Sequence, residues 1–206
     1  MNFPLLLFLP EILQVLVILG LFLQSLTSPR SDEEVGPGAC TGWVPLAGIA
    51  VLAAATLSLG AGGLMFREAY RIDALSQFFK LAVALGFVIA THNARSQPTL
   101  EPDRRADYFL LLALSALGLM LLASAVELIT IYLALEISSY SLYALIPLRG
   151  RDPRAAEAGI KYILFGAAAT ALALFGLAYI LAGQHSSYLA VLITRPWGWA
   201  EAPLGS

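Results

Sequence analysis

Six apolar segments, each of about the 17 to 25 residues needed to cross the hydrocarbon core of a bilayer, dominate this sequence. The 206 residues include only 12 basic and 14 acidic side chains, and 59% of the composition is apolar. Such a composition is typical of membrane proteins. The sequence therefore predicts an all-α fold, a polytopic membrane helix bundle with six transmembrane helices. The predicted spans are Leu5 to Leu26, Trp43 to Phe66, Ala74 to Thr91, Tyr108 to Val126, Leu128 to Pro147 and Ala158 to Ala182.

Positive charges in the connections predict the orientation of the bundle. With the N-terminus outside, the inner connections carry Arg30, Arg95, Arg104, Arg105, Arg149, Arg151 and Arg154, and the outer ones carry Arg67, Arg71 and Arg195. The excess on the inner side favours an N-out/C-out topology. The first segment has no basic residue ahead of it and no small-residue cleavage pattern after it, so we interpret it as a retained helix. We assign residues 1–182 to the bundle and residues 183–206 to a divergent C-terminal tail.

Residues that bind cofactors are scarce in this chain. Cys40 is the single cysteine, which permits neither an internal disulfide nor a four-cysteine iron–sulfur site. His92 and His185 are far apart in sequence, and we interpret both as ordinary polar residues. The chain has no Gly-rich phosphate-binding loop, so we predict no metal, haem or nucleotide site. Its net charge of −2 does not indicate nucleic-acid binding.

Ionisable residues within the fifth and sixth segments point to the chemistry. Glu136 lies in the middle of the fifth, and Glu157 and Lys161 lie four residues apart near the start of the sixth. A charge at bilayer depth costs at least about 2.5 kcal/mol, which makes such a residue a functional candidate. If the two helices are antiparallel neighbours, Glu136 and Lys161 are offset by about 7 Å along the axis. At an effective dielectric constant of about 20, their attraction is about 2 to 3 kcal/mol.

An attraction of that size would make the protonation of each partner respond to the other. We predict that Glu136, Lys161 and Glu157 form a proton relay. The alternative is that Glu136 and Lys161 only hold two helices together. Glu136 belongs to a polar stripe at helical spacing that should face the protein interior. The other members of the stripe are Tyr132, Ser139, Tyr140 and Tyr143.

Three further charged residues allow more than one interpretation. Glu11 follows Pro10, and it either stabilises the first turn of a helix against the dipole or has a direct role. Lys80 shares a helix face with Asp73, and it either reaches toward the outer surface or is buried in a polar environment. Glu127 lies at a tight turn, where we predict that it caps the start of the fifth helix.

These residues resemble subunit N of respiratory complex I, the proton-pumping NADH:quinone oxidoreductase, and its chloroplast and cyanobacterial counterpart. The similar stretches cover most of residues 1 to 182, and the last of them is the most specific. They are Pro10-Glu11, the segment from Arg71 to Lys80, the segment from Glu127 to Ser139, Tyr143, the segment from Arg151 to Arg154, and Glu157-Ala-Gly-Ile-Lys161-Tyr-Ile-Leu-Phe-Gly166-Ala.

The resemblance implies that Glu136 is the fifth-helix glutamate of the family's charged axis and that Glu157 and Lys161 match the Glu and Lys that begin the sixth helix. It also implies that NADH, FMN, iron–sulfur clusters and quinone are bound by partner subunits and none by this chain. The implied partners are subunits K, M and other membrane-arm subunits within the lipid bilayer. The implied location is the cell inner (plasma) membrane, or an organelle or thylakoid membrane if the source is not bacterial.

The family has further helices beyond those found here, and residues 184–206 do not resemble their continuation. We therefore expect the chain to represent only the N-terminal part of such a subunit, as a truncated or split product. Two alternatives stay open at this point. One is a subunit of a multi-subunit cation/proton antiporter, and the other is a non-catalytic scaffold fragment.

Overall fold

A computed structural model of the chain describes residues 7–27, 41–60, 62–95, 104–148 and 153–194. The described helices are α1 (Leu9–Thr27), α2 (Val44–Leu57), α3 (Ala74–Arg95), α4 (Arg105–Ser124), α5 (Leu128–Leu145), α6 (Pro153–Gln184) and the short α7 (Leu189–Thr194). Two short strands, β1 (Gly63–Met65) and β2 (Tyr70–Ile72), form an antiparallel hairpin. Five of these helices, α1 and α3 to α6, are long and apolar enough to cross a membrane. The prediction of an all-α, polytopic membrane helix bundle is confirmed.

The second predicted span differs from the prediction. Its helix α2 has 14 residues, about 21 Å at 1.5 Å per residue, and the chain then forms the hairpin. The glycines at positions 60, 62 and 63 explain the difference, because each glycine within a helix costs about 1 kcal/mol relative to alanine. The prediction of one helix from Trp43 to Phe66 is therefore wrong in its second half. The count of six full-length spans is not confirmed, and the N-out/C-out orientation stays a prediction.

The apolar core lies between α1, α2, α3 and α4. Its fully buried side chains include Leu21, Val51, Phe109 and Met120. A polar contact fixes α4 to α5, because the Ser115 and Ser138 hydroxyls lie 3.1 Å apart. Gly118 permits this close approach, since a Cβ atom there would lie only 2.6 Å from the backbone nitrogen of Ser138.

Helix α6 packs much more openly than the other long helices. It has 32 residues and is about 48 Å long, and none of its most apolar stretch is buried against the rest of the described chain. Large apolar side chains such as Phe165, Leu172 and Phe175 are exposed along it. Its contacts with α5 follow one narrow line, where Gly159 meets Pro147 and Gly166 meets the ring of Tyr143.

Extended backbone joins several elements at one end of the bundle. The segment 125–127 forms isolated bridges with Tyr70 on one side and Tyr188 on the other. Val126 donates a backbone hydrogen bond of 3.1 Å to Ala69 and accepts one of 3.2 Å from Leu189. We name this the hairpin end, defined by residues 63–72, 125–127 and 186–189. Helices α1, α3 and α5 begin there, and α6 begins at the opposite end.

Candidate functional site

Glu136 lies on α5 at about the middle of the helix. Its Oε1 accepts a hydrogen bond of 3.0 Å from the Thr170 hydroxyl of α6, so the carboxylate points toward the α5–α6 contact. Its Oε2 is buried and has no hydrogen-bond partner among the described residues. A carboxylate oxygen can accept further hydrogen bonds, so Oε2 keeps an unused capacity to accept one. Glu136 therefore combines a position within a membrane-spanning helix with one bonded oxygen and one buried oxygen that can accept a further donor.

Lys161 pairs with Glu157 and not with Glu136. Its Nζ lies 2.5 Å from Glu157 Oε1, and the two side chains are 65% and 64% exposed. Within the described part of the chain, no ion pair joins Lys161 to Glu136. A local pair at i, i+4 with this exposure stabilises a helix by only about 0.2 to 0.5 kcal/mol. The structure thus joins two of the three predicted relay residues and separates the third.

The axial offset explains the separation. Pro147 lies beside Gly159, Tyr143 beside Gly166 and Glu136 beside Thr170, so the register of α5 against α6 is fixed along its length. Thr170 is nine residues beyond Lys161, which places Lys161 about 13 Å from Glu136 along the axis. The predicted offset of about 7 Å is wrong. It assumed that α6 begins nearly level with the end of α5, whereas α6 extends past that end by about two turns. At 13 Å the attraction falls to about 1 kcal/mol.

Tyrosines occupy the space between these two levels. The rings of Tyr140 and Tyr143 on α5 are 5.9 Å apart, and Tyr143 contacts Tyr162 of α6 edge to face at 4.9 Å. Tyr162 is the residue next to Lys161, and Tyr140 lies one helical turn from Glu136. Phenol hydroxyls both donate and accept hydrogen bonds. The aromatic group therefore provides polar hydrogen atoms along the path from Lys161 to Glu136.

Glu127 occupies the position before the first residue of α5, but its side chain does not cap the helix. No side-chain hydrogen bond reaches the backbone there. The carboxylate instead accepts hydrogen bonds from the hydroxyls of Thr130, at 2.7 Å, and Ser187, at 2.6 Å. The prediction of a cap is wrong, because the glutamate side chain extends to the segment that follows α6. Glu127 fastens the start of α5 to the return of α6 at the hairpin end.

A second Glu–Lys pair lies at the hairpin end, between α1 and α3. Lys80 Nζ is 2.6 Å from Glu11 Oε1, and both side chains are 0% exposed. The Tyr70 hydroxyl of β2 donates a hydrogen bond of 2.7 Å to the same Glu11 oxygen. Lys80 also lies over the Tyr70 ring, 4.9 Å from its centroid. Burial, and after it the charge of Glu11, raise the pKa of the Tyr70 phenol, so this hydroxyl stays a donor.

Sequence patterns left the roles of Glu11 and Lys80 open, and the structure resolves their placement. Lys80 is buried and does not reach toward the surface, and Glu11 has a direct partner beyond the dipole of α1. A sequence signal was available. Glu11 has Gln14 three residues on, and Lys80 has Gln77 three residues before it, so opposite charges each share an apolar helix face with an amide. Which helices are neighbours could not be read from that pattern.

Metal binding has no evident basis in the described residues, which contain no group of three His, Cys, Asp or Glu side chains able to hold an ion. The absence of a cofactor from this chain stays a prediction.

Comparison with known proteins shows what the chain is similar to. Residues 125–195 match the family model described as "NADH:quinone oxidoreductase/Mrp antiporter, TM". Over 197 residues the chain is 54% identical to NADH-quinone oxidoreductase subunit N 2 of Solidesulfovibrio magneticus. The alignment covers 95% of this chain and 40% of that protein. The chain is similar to the N-terminal part of subunit N of NADH-quinone oxidoreductases. The resemblance inferred from the sequence, including its restriction to the N-terminal part, is confirmed.

Further proteins are similar to the chain in the same way. Subunit N of Desulfovibrio desulfuricans is 39% identical over 181 residues, which are 85% of the chain and 34% of that protein. Respiratory complex I from Thermus thermophilus contains a chain with a similar fold, at a TM-score of 0.73 and 28% identity, over 95% of this chain and 41% of that one. This chain thus spans about 40% of the length of the subunit N proteins it matches.

Proposed function

We propose that this chain is a membrane-arm subunit of a proton-pumping NADH:quinone oxidoreductase and that it couples quinone reduction to proton translocation. The identity of 54% to a subunit N carries this proposal. In this role electrons pass from NADH to quinone in partner subunits, which hold FMN, the iron–sulfur clusters and the quinone. The chain lies in the inner (plasma) membrane beside subunits K and M and contributes proton transfer only.

Glu136 is the central proton-holding group of the proposed relay. It combines a position inside a membrane-spanning helix with one oxygen that has a donor, Thr170, and one buried oxygen that has none. Such a carboxylate gains a proton when a nearby positive charge moves away, and it loses the proton when the charge returns.

The positive charge that acts on Glu136 in this proposal is that of Lys161, which pairs with Glu157 near the start of α6. Because Lys161 is about 13 Å from Glu136 along the axis, a proton cannot pass between them in one hydrogen bond. The rings of Tyr143 and Tyr162 are in contact near the level of Lys161, and their hydroxyls together with water would complete the path. The exposure of Lys161 and Glu157 leaves them accessible from outside the described helices.

The test is Glu136→Gln in the assembled complex in native membranes. Assembly, quinone reduction and proton pumping are measured on the same samples. Glutamine keeps the acceptor for Thr170 but cannot hold a proton, so we expect normal assembly with both activities lost together. Glu68→Gln, an exposed carboxylate of the hairpin, is the matched control and should leave both activities unchanged. Full activity of assembled Glu136→Gln enzyme would contradict the relay and favour a scaffold role.

The family model also includes Mrp antiporters, which favours one second candidate, a subunit of a cation/proton antiporter. An antiporter exchanges protons for cations without quinone chemistry. Membranes that contain the chain would then show proton movement driven by a sodium gradient in the absence of NADH. Genes for NADH- and quinone-binding subunits beside that of this chain would favour the oxidoreductase.

A further inference from the structure

We propose that Glu11, Lys80 and Tyr70 form a second proton-binding site in this subunit, which holds an exchangeable proton together with bound water at the hairpin end. The proposal concerns residues outside the Glu136 relay. Its contribution to pumping depends on the proposed function, whereas the presence of the site does not.

The donors around Glu11 are distributed unequally. Tyr70 and Lys80 both approach Oε1, at 2.7 Å and 2.6 Å. The other oxygen, Oε2, is buried and has no partner among the described residues. A carboxylate accepts hydrogen bonds at both oxygens, so Oε2 keeps an unused capacity for a proton or for a water molecule.

Gln14 adds a second unused acceptor beside the first. Its Nε2 donates a hydrogen bond of 2.9 Å to the carbonyl oxygen of Ala113, which fixes the orientation of the amide. Its Oε1 is therefore directed elsewhere, and it is buried without a partner in the described chain. Gln14 and Glu11 lie three residues apart on one face of α1. Two acceptors cannot satisfy each other, but a proton on Glu11 or a water molecule between them supplies the missing hydrogen.

Helix α3 carries two buried donors without a hydrogen-bond acceptor among the described residues, whereas the unpartnered atoms on α1 are acceptors. Gln77 accepts a hydrogen bond of 3.0 Å from Ser58 through Oε1, which leaves its Nε2 as a buried donor without a partner. Lys80 Nζ contacts Glu11 but has no acceptor aligned for a hydrogen bond. Helices α1 and α3, which meet at the contact between Glu11 and Lys80, thus carry unused acceptors on α1 and unused donors on α3. Buried polar groups in this arrangement are ordinarily bridged by water, which needs two to four polar partners.

Proton exchange in this site conserves charge. An N–H bond of the Lys80 ammonium breaks and an O–H bond forms on Glu11, so that an ion pair becomes a neutral amine and a neutral acid. The acid then releases its proton to the bound water, and a second proton that arrives at the amine restores the ion pair of ammonium and carboxylate. The ionisable residue in contact with the pair is Tyr70 of the hairpin. Ser58, directly after α2, and Ser124, at the end of α4, contribute buried hydroxyls, which do not ionise.

The site lies at the opposite end of the bundle from Lys161 and Glu157. Glu11, Tyr70 and Lys80 lie where α1 and α3 begin, and Lys161 lies near the start of α6. Glu136 is between these two levels, in the middle of α5. The proposal therefore places an ionisable pair on either side of the central glutamate along the direction in which protons would move.

The test is the double variant Glu11→Gln/Lys80→Met in the assembled complex. Glutamine keeps the acceptor for Tyr70 and provides an N–H for Gln14, and the neutral methionine leaves no unpaired charge, so we expect normal assembly. Proton pumping should fall by about tenfold or more, which equals about 1.4 kcal/mol in the barrier. Infrared difference spectra recorded against pH should lose one carboxyl band that is present in the wild type and in Glu136→Gln. If the double variant pumps protons at the wild-type rate and its infrared spectrum keeps every carboxyl band, the proposal is overturned. The pair would then only hold α1 and α3 together.

Tyr70→Phe keeps the proposal testable if the double variant does not assemble. It removes the hydrogen bond that Tyr70 donates to Glu11, so the infrared carboxyl band of Glu11 should shift in frequency. A band of unchanged frequency in Tyr70→Phe would overturn the proposal. Glu136→Gln separates the two proposals. If this variant pumps normally, the proposed function fails, but the infrared results still decide whether Glu11 binds a proton.

Discussion

Two Glu–Lys pairs in this chain have nearly the same geometry and opposite environments. Glu11 and Lys80 are 2.6 Å apart and fully buried, whereas Glu157 and Lys161 are 2.5 Å apart and more than 60% exposed. The first joins two helices that are far apart in sequence, and the second lies within one helical turn. The contact distance is therefore a poor guide to what each pair contributes. Burial and the surrounding hydrogen bonds decide it.

Removal of one lysine from each pair should give the largest difference. Lys80→Met leaves Glu11 buried without its counter-ion, which costs about 3 to 5 kcal/mol. Lys161→Met leaves Glu157 in contact with solvent, at a cost below about 1 kcal/mol. Thermal unfolding of the detergent-solubilised complex measures both. Equal melting temperatures for the two variants would contradict the contrast between the pairs.

The tyrosines beside the two pairs give the next largest difference. Tyr70→Phe removes a donor to a buried carboxylate, and hydrogen bonds to charged groups contribute about 1.5 to 3 kcal/mol. Tyr162→Phe keeps the ring that packs against Tyr143 and removes an exposed hydroxyl, so stability should change by less than about 0.5 kcal/mol. Chemical denaturation of both variants tests the difference. A larger loss of unfolding free energy in Tyr162→Phe than in Tyr70→Phe would contradict this order and show that the contact between α5 and α6 contributes more to stability than the buried pair does.

Two glycines test whether the helices also differ in packing, because Gly118 lies in a tight contact and Gly176 has open space around it. A Cβ atom at Gly118 would meet the backbone of α5 at 2.6 Å, so Gly118→Ala should cost about 1 to 3 kcal/mol by overpacking. Gly176 on α6 has open space around it, and Gly176→Ala should stabilise the helix by up to about 1 kcal/mol. Melting temperatures that move in opposite directions would confirm that α6 is the openly packed helix. A loss of stability in Gly176→Ala would indicate that this face is covered in the assembled protein.

The smallest effect concerns the start of α3, which orients Lys80. Asp73 Oδ1 accepts a hydrogen bond of 2.8 Å from the Ser76 backbone N–H, and this bond is the main reason that the pKa of Asp73 lies below its usual range. The contribution of a carboxylate with a lowered pKa is present above the unfolded-state pKa and is lost as pH falls through the folded-state value. Asp73→Ala should cost about 1 kcal/mol at neutral pH.

A pH titration of stability checks this assignment. The difference between wild type and Asp73→Ala should shrink below about pH 4, where the carboxyl takes up its proton. Asp73→Asn keeps a capping oxygen and serves as the control, with a loss of only a few tenths of a kcal/mol. A difference that stays constant down to low pH would contradict the role of the ionised carboxylate.

Local patterns in the sequence predicted most of the helices and the exposed pair. The length of the apolar segments alone located α1 and α3 to α6. The spacing of four residues indicated that Glu157 and Lys161 lie side by side on one helix. The glycines that end α2 were visible, but their effect on a membrane-length apolar segment depends on the hairpin that follows. A hairpin requires the turn at Phe66, Arg67 and Glu68, which have φ values of 52°, 56° and 72°, unusual for residues other than glycine.

Contacts between distant segments could not be predicted in the same way. The meeting of Glu11 with Lys80 depends on α1 and α3 being neighbours, and no pattern within either helix specifies its neighbour. The offset between Glu136 and Lys161 depends on the path of the chain between α5 and α6 and on where Gly166 receives the ring of Tyr143. Sequence reasoning identified the relay residues as candidates, whereas their separation required the three-dimensional structure.

The length of α6 has a consequence for where protons meet water. Gln184, its last residue, is 23 residues from Lys161, or about 34 Å at 1.5 Å per residue, and the hydrocarbon layer is about 30 Å thick. When the C-terminal end of α6 lies at one border of that layer, Lys161 lies at the other border, among lipid headgroups and water. The exposed Glu157–Lys161 pair then lies in contact with water at the membrane surface, where the proposed relay to Glu136 would take up or release its protons.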